Sequence, residues 1–497
     1  MRWPLLPLLG ALCVGLAPSP ARAQDPRAAK ARRAILALDF PAAEKLLDVG
    51  SDEPALALER GRLALYRGDC DGAVAFVQRP DLEQTDAGAE LLNVSLGCQR
   101  ATAATQVVRD DARGVVVRLQ DEEDRALVFL IADTAARTRD VLERDLGVRL
   151  PSPIFVELVR DQFTLSALTG LPEQAAQTTG TVGVAKWGRV TMVSPRAMPH
   201  GYAWLDTLAH ELTHLTLSQG TLDRAPLWLQ EGVAKREETR WREPDPFDGL
   251  MPPDAVAALG MSRGLGRPLT ALGPSIAMLP TPDEAMVAFA EVASFVQFWA
   301  AQVGPEGLPK LVVALRDAQG DLDIDTILTG ISGLGLAAWD TRWREHLGTV
   351  PSDLPPDLAP GGRIPNGPEI GRRMRLGELL LERGHSQGAA DELARAQTLA
   401  SYLAPVRVGL ALARLALGDK LGAAELVARP DDVHQRDGRW WSLHAELAEL
   451  ADPLSRWRAL GLEPLDPGVA CEELPPPELP ADEQRRALCE AARRVLR

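Results

Sequence analysis

Cysteine is scarce in this chain, five in 497 residues, and none stands near its one close pair of histidines. A structural zinc site built from thiolates therefore has no material there. Basic residues are outnumbered: 54 Lys plus Arg stand against 69 Asp plus Glu, a net charge of −15. That balance argues against nucleic acid and anionic lipid as main partners. Beyond the N-terminus no apolar stretch reads as long and charge-free enough to span a bilayer. Leu12 precedes Cys13 where a lipid-anchor signal wants a small residue, so no membrane anchor is expected.

What is present begins with "MRWPLLPLLGALCVGLAPSPARAQDP". A basic residue, an apolar run and Ala21-Arg22-Ala23 read as a secretory signal cut after Ala23. The expected product is exported, to the periplasm or beyond it. Losing Arg2 and Arg22 with the signal takes the net charge from −15 to −17. The length is too great for one core and suggests several domains. The chain divides into a signal at 1–23, an Ala- and Leu-rich helical region at 24–112, and a mixed α/β region at 113–350. A Pro/Gly-rich linker at 351–368 and a second helical region at 369–497 follow. In an oxidising compartment, the remaining cysteines are expected to pair as Cys70–Cys98 and Cys471–Cys489, one bridge in each helical region.

The two helical regions share a pattern. "LYRGDCDGAVAFVQRPD" (Leu65–Asp81) aligns with "LALGDKLGAAELVARPD" (Leu415–Asp431) at Gly68/Gly418, Asp69/Asp419, Gly72/Gly422 and Ala73/Ala423. A third copy places Gly384, Gly388 and Ala389 34 residues ahead of Gly418, Gly422 and Ala423. A 34-residue period with Gly at a turn and Ala at a helix contact resembles the tetratricopeptide repeat, which implies helical hairpins able to hold a protein partner.

In the middle region, "RGVVVRLQ" and "SPIFVELVRD" read as strands around a long helix closed by Gly147, and "TGTVGVAKWGRVTMVSPR" as two strands around Trp187-Gly188. Then comes "LDTLAHELTHLTLSQ" (Leu205–Gln219). Its apolar residues recur at three- and four-residue steps, which predicts a helix. His210 and His214 are one turn apart on one face, with Glu211 flanking them. Two imidazoles so placed can hold one cation and the carboxylate can hold a water beside it, the H-E-x-x-H pattern. A pair of ordinary core histidines would also fit this spacing. The next segment weighs against that. "DRAPLWLQEGVAKREE" puts Glu231 among apolar residues 17 positions after His214, where a carboxylate is costly unless paired. Small residues Gly232 and Ala234 suit a close helix contact.

HELTH followed by W-L-x-E-G-x-A resembles the gluzincin zinc metallopeptidases, most closely their peptidase MA-like branch, over about residues 113–350. The resemblance implies an α+β, thermolysin-like zincin domain between two all-α flanks. It implies Zn²⁺ held by His210, His214 and Glu231, with Glu211 as general base, and a peptide or protein substrate. An extended substrate is expected to pair with the strand around Val190–Val193. Related enzymes often carry an oxyanion-donating Tyr where this chain has Phe289, leaving Tyr202 and His200 as substitutes. Glu238 could support the metal site, although "REE" reads first as a solvated charge run. The aminopeptidase signature GxMEN is absent, so no N-terminus-anchored exopeptidase site is expected. The alternative is a retired peptidase fold serving as a cell-envelope binding scaffold. Such a fold usually loses a ligand or the glutamate, and here all four residues remain.

Overall fold

Val115-Val116-Val117 begins a β-branched run that forms a central strand, and every other layer is arranged around its two faces. The computed structural model describes residues 25–172, 181–197, 202–242, 252–271, 276, 279–320, 322–351, 366–401, 403–428, 443 and 447. Its sheet has five strands: β1 (Gln106–Asp110), β2 (Val115–Leu119), β3 (Ile154–Val159), β4 (Gly183–Lys186) and β5 (Arg189–Val193), in the order β1-β2-β3-β5-β4. The three inner strands are parallel and each outer strand is antiparallel to its neighbour. The class is α+β, as expected. The sheet starts before the expected boundary at 113, because β1 closes a hairpin onto β2 through the Asp110–Gly114 turn. Three of β1's five residues are exposed, so its sequence lacks the apolar run that revealed the other strands.

Residues alternate between the faces of a strand. On one face Val115, Val117, Leu119, Ile154, Val156, Leu158, Val190 and Met192 join a core with α7 (Val128–Leu146) and the helices that follow β5. On the other face Val159 and Val193 join a second core with the N-terminal helices. These are α1 (Pro26–Leu36), α2 (Phe40–Leu47), α3 (Pro54–Tyr66), α4 (Cys70–Val77), α5 (Pro80–Glu83) and α6 (Asp86–Thr102), with α8 (Gln162–Thr169) beside them. The N-terminal helical region is thus the second wall of the sheet.

Between these layers lies a buried ionic group. Glu157 is 3% exposed and Arg189 2% exposed. Arg189 Nε lies 3.1 Å from one Glu157 oxygen and Arg118 Nε 3.4 Å from the other. Thr191 Oγ1 donates to Glu157 at 3.1 Å. The same two arginines donate onward to backbone carbonyls of the helical wall, Arg189 to Leu65 and Arg118 to Gly68.

The repeat aligned in sequence is a repeat in structure. Gly68 and Gly418 take φ of +76° and +81°, the left-handed conformation that a hairpin turn between helices requires and that lacks a Cβ penalty only for Gly. Asp69 and Asp419 then cap the next helix, each accepting the N–H of Gly72 or Gly422 at 2.9 Å. Ala73 and Ala423 are fully buried. Between α16 (Gly367–Glu382) and α17 (Ser386–Leu399) the left-handed glycine recurs as Gly384 and the buried alanine as Ala389, but His385 stands at the cap and makes no capping bond, while α18 (Ala404–Ala416) and α19 (Lys420–Val427) form the last described hairpin. A further copy escaped the sequence alignment. Leu38 takes φ +56° where the others have Gly, and Asp39 caps α2 by accepting from Ala42 N–H at 3.1 Å.

The expected Cys70–Cys98 bridge is present and ties α4 to α6, with Cα atoms 5.6 Å apart. Cys471 and Cys489, the signal segment and most of the 351–368 linker lie outside the described residues. One expectation is corrected. The helix α12 (Pro282–Val303) has the length and a mean hydropathy of 1.3 that would suit a membrane span. In this fold its Val292, Phe295, Val296 and Trp299 sit in the first core, which explains the apolar composition. Six further helices complete the region before the linker. They are α9 (Trp204–Thr221), α10 (Leu227–Glu237), α11 (Pro253–Ser262), and, after α12, α13 (Gly307–Asp317) and α14 (Ile324–Ser332), with α15 (Leu336–Leu347) last.

Replacing Glu157 with Ala would leave Arg189 buried beside a void. The expected loss is about 3–5 kcal/mol of folding stability, read by denaturant unfolding, with Glu157→Gln losing less because it fills the space and its one amide oxygen still accepts from one of the two arginines.

Candidate metal centre

The helix α9 is buried on almost every side, with Trp204, Leu208, Ala209 and Leu212 fully inaccessible. Its threonines suit that setting: Thr213, Thr216 and Thr221 each donate to the carbonyl four residues back. The same helix carries the expected His210, Glu211 and His214. Opposite them runs α10, which carries Glu231. It packs on α12 so closely that a Cβ on Gly232 would lie 2.5 Å from the Val292 carbonyl oxygen, so Gly232 does mark a close helix contact.

The three expected ligands converge. His210 Nε2 and His214 Nε2 are 3.2 Å apart, and Glu231 Oε2 lies 3.5 Å from each. Ligand atoms about 2.05 Å from a tetrahedral zinc ion lie about 3.3 Å from one another. The donor types and spacing therefore fit such an ion. Among the described residues these three form the one convergent cluster of metal-ligating side chains.

Without a metal the cluster holds itself together by charge. Burial alone would lower the His210 imidazole, but hydrogen bonds to Glu231 and Glu238 outweigh it and bring it up to about 9. Burial would raise Glu231, yet His214 and His210 hold it far below the ordinary carboxylate range. A proton therefore competes with a metal for His210 below about pH 9, and apparent metal affinity rises with pH up to that point.

Glu238 is part of this arrangement and not a solvated charge. Its Oε2 lies 3.3 Å from His210 Nδ1, the nitrogen turned away from the cluster, and 2.9 Å from Lys235 Nζ. Burial pushes Glu238 up, but Lys235 and His210 bring it down to about 2. Lys235 also lies over the Phe289 ring, 5.6 Å from its centre. The sequence offered Glu238 as a support for the metal site but not its partner His210, because sequence does not tell which turn of α10 meets which face of α9.

Glu211 stands apart from the ligands. It is 7% exposed. Burial raises its pKa against the opposing pull of His214 and His210, and it accepts the Ala185 backbone N–H. Strand β4 passes directly over it: a Cβ on Gly183 would lie 3.0 Å from Glu211 Cγ and 3.1 Å from Thr207 Cγ2. The expectation that Val190–Val193 offers a substrate edge is corrected here. Strand β5 is paired on both sides, by β3 and by β4. The free edge belongs to β4. Val193 N–H donates to the Val182 carbonyl at 2.8 Å, so the even-numbered residues face β5, and the backbone groups of Gly183 and Ala185 point outward.

Tyr202 is committed elsewhere. Its hydroxyl donates to the Val193 carbonyl, and burial followed by Glu211 pushes its pKa up. His200 lies outside the described residues. An open groove of about 950 Å³ between α2, α3 and α4 contains none of the cluster residues. No family model, no curated protein and no solved structure matches the chain.

Glu238→Ala removes the partner that orients His210. Zinc affinity, measured by competition with a chromogenic chelator at fixed pH, is expected to fall about 10- to 100-fold, while the fold is retained.

Proposed function

We propose that this chain is an exported zinc-dependent metallopeptidase of the gluzincin type. The observation that carries the reading is the meeting of three ligand atoms 3.2–3.5 Å apart with a separate buried carboxylate, Glu211, under a free strand edge. A structural zinc site would fill its fourth position with protein, commonly with Cys. Here the residue beside the ligands is a carboxylate turned to a strand edge.

His210, His214 and Glu231 would hold the ion, and Glu238 with Lys235 would hold His210. Bound zinc supplies Lewis acidity, lowering the pKa of a water it holds towards about 7. Glu211 would take a proton from the water that attacks the peptide carbonyl and pass it to the leaving amine. An extended peptide adds to the edge of β4, pairing with the outward N–H and C=O of Gly183 and the C=O of Ala185, whose N–H is taken by Glu211.

The two glutamates have separable tasks. Glu211→Gln keeps size and can still accept the Ala185 N–H, but cannot take a proton. It should retain zinc and melt normally, while peptide hydrolysis falls by about 10²- to 10⁴-fold. Glu231→Ala should lose zinc and stability together. Metal analysis, thermal melts and turnover of a peptide library on both variants and the parent check this. A parent that binds zinc tightly and cleaves nothing would favour the retired-scaffold reading.

A further inference from the structure

The N-terminal helices reach the strand over Glu211 through the tip of the β4–β5 hairpin. Its tip is Trp187 at φ +56° and Gly188 at φ +72°, a two-residue turn with both residues left-handed. Trp187 is 7% exposed and belongs to the core of the helical wall. The Tyr66 ring, at the end of α3, meets the Trp187 ring edge-on with centroids 6.1 Å apart. Gly188 is pressed against the same residue. A Cβ there would lie 2.7 Å from Tyr66 Cδ1 and 3.3 Å from Leu38 Cδ2. The next residue, Arg189, donates to the carbonyl of Leu65, the neighbour of Tyr66.

The strand leading into that tip alternates between the two cores. Val182 and Val184 pack on the helical wall, and Ala185 packs on the core that contains α9. The Ala185 N–H and the close approach of Gly183 meet Glu211 on that second side. Strand β4 is four residues long and paired with another strand along one edge only. An edge strand of that length is not rigid by itself. It also packs on α9 and α8, and its tip is gripped by the helical wall.

We infer that the N-terminal helical region is a clamp that sets β4 against Glu211, with Tyr66 as the positioning residue and the Trp187-Gly188 turn as the part it grips. The helical region therefore acts on the chemistry through the strand, without touching a reacting atom. The kinetic part of this inference rests on the peptidase reading; the mechanical part does not.

The test uses the full chain. Gly188→Ala puts a methyl into the Tyr66 ring and strains the turn. Gly333→Ala is its control: Gly333 also has a left-handed φ, +77°, but a Cβ there meets nothing within 4 Å. Tyr66→Leu removes the gripping ring without adding anything at the turn, and Tyr66→Phe keeps the ring. Hydrogen exchange of the 183–186 amides is measured beside that of α9, together with zinc content. The expected result is about tenfold or greater acceleration of β4 exchange in Gly188→Ala and Tyr66→Leu, with α9 protection and zinc content unchanged. Tyr66→Phe and Gly333→Ala should match the parent. On a cleaved peptide the two loosened variants should show a raised KM, and Tyr66→Phe should restore it. Unchanged β4 exchange in both loosened variants overturns the clamp. So does acceleration spread equally over β4 and α9, or a Tyr66→Phe that behaves like Tyr66→Leu. If the parent cleaves no peptide, the peptidase reading falls, and the exchange measurement still decides the clamp.

Discussion

A carboxylate held between two arginines inside the protein is the constraint on which the three layers depend. Glu157 sits on the middle strand of the sheet, with Arg118 on one neighbouring strand and Arg189 on the other. Such a group costs several kcal/mol to take out of water for each ion, and hydrophobic residues of the same shape could have filled the space. Its worth lies in direction. Each arginine also reaches a carbonyl of the helical wall, so the network fixes strand register and layer spacing together. An apolar face would hold the layers together without specifying which turn of α3 meets which residue of β5.

The candidate site was the most legible part of the chain, and the reason is local. His210, Glu211 and His214 lie on consecutive turns of one helix, so their geometry follows from helical spacing alone. Glu231 could be picked out because an acid among Leu229, Gly232 and Val233 calls for a partner. What sequence left out is everything that depends on how two elements meet. The Glu238–His210 contact joins α10 to α9. The Ala185–Glu211 contact joins a sheet edge to a helix. The choice of β4 over β5 as the free edge is a matter of strand order, which alternation cannot reveal.

The fold shows the same division. Inner strands announce themselves by apolar residues on one or both faces, and β2, β3 and β5 do so. Strand β1 is half exposed and carries no such signal. The apolar composition of α12 reads equally well as a membrane span or a core helix, and only its packing partners decide between them. Hairpin repeats were found where Gly marks the turn. The first copy was hidden because Leu38 takes the left-handed conformation that Gly68 and Gly418 take elsewhere, and a backbone angle leaves no trace in the side-chain pattern.

The second core also has a history within each molecule's synthesis. Its members run from Ala28 to Cys98 and are completed by Val159, Leu165, Leu168, Trp187 and Val193. A chain made from its N-terminus therefore presents α1–α6 to its surroundings well before the strands that cover their inner face exist. Arg189 meets the Leu65 carbonyl across 124 residues of sequence. Domains generally form in the order they are synthesised, yet this helical region must wait for a later part of the chain. During that interval its apolar side is uncovered, and the second core closes only once the sheet has been made.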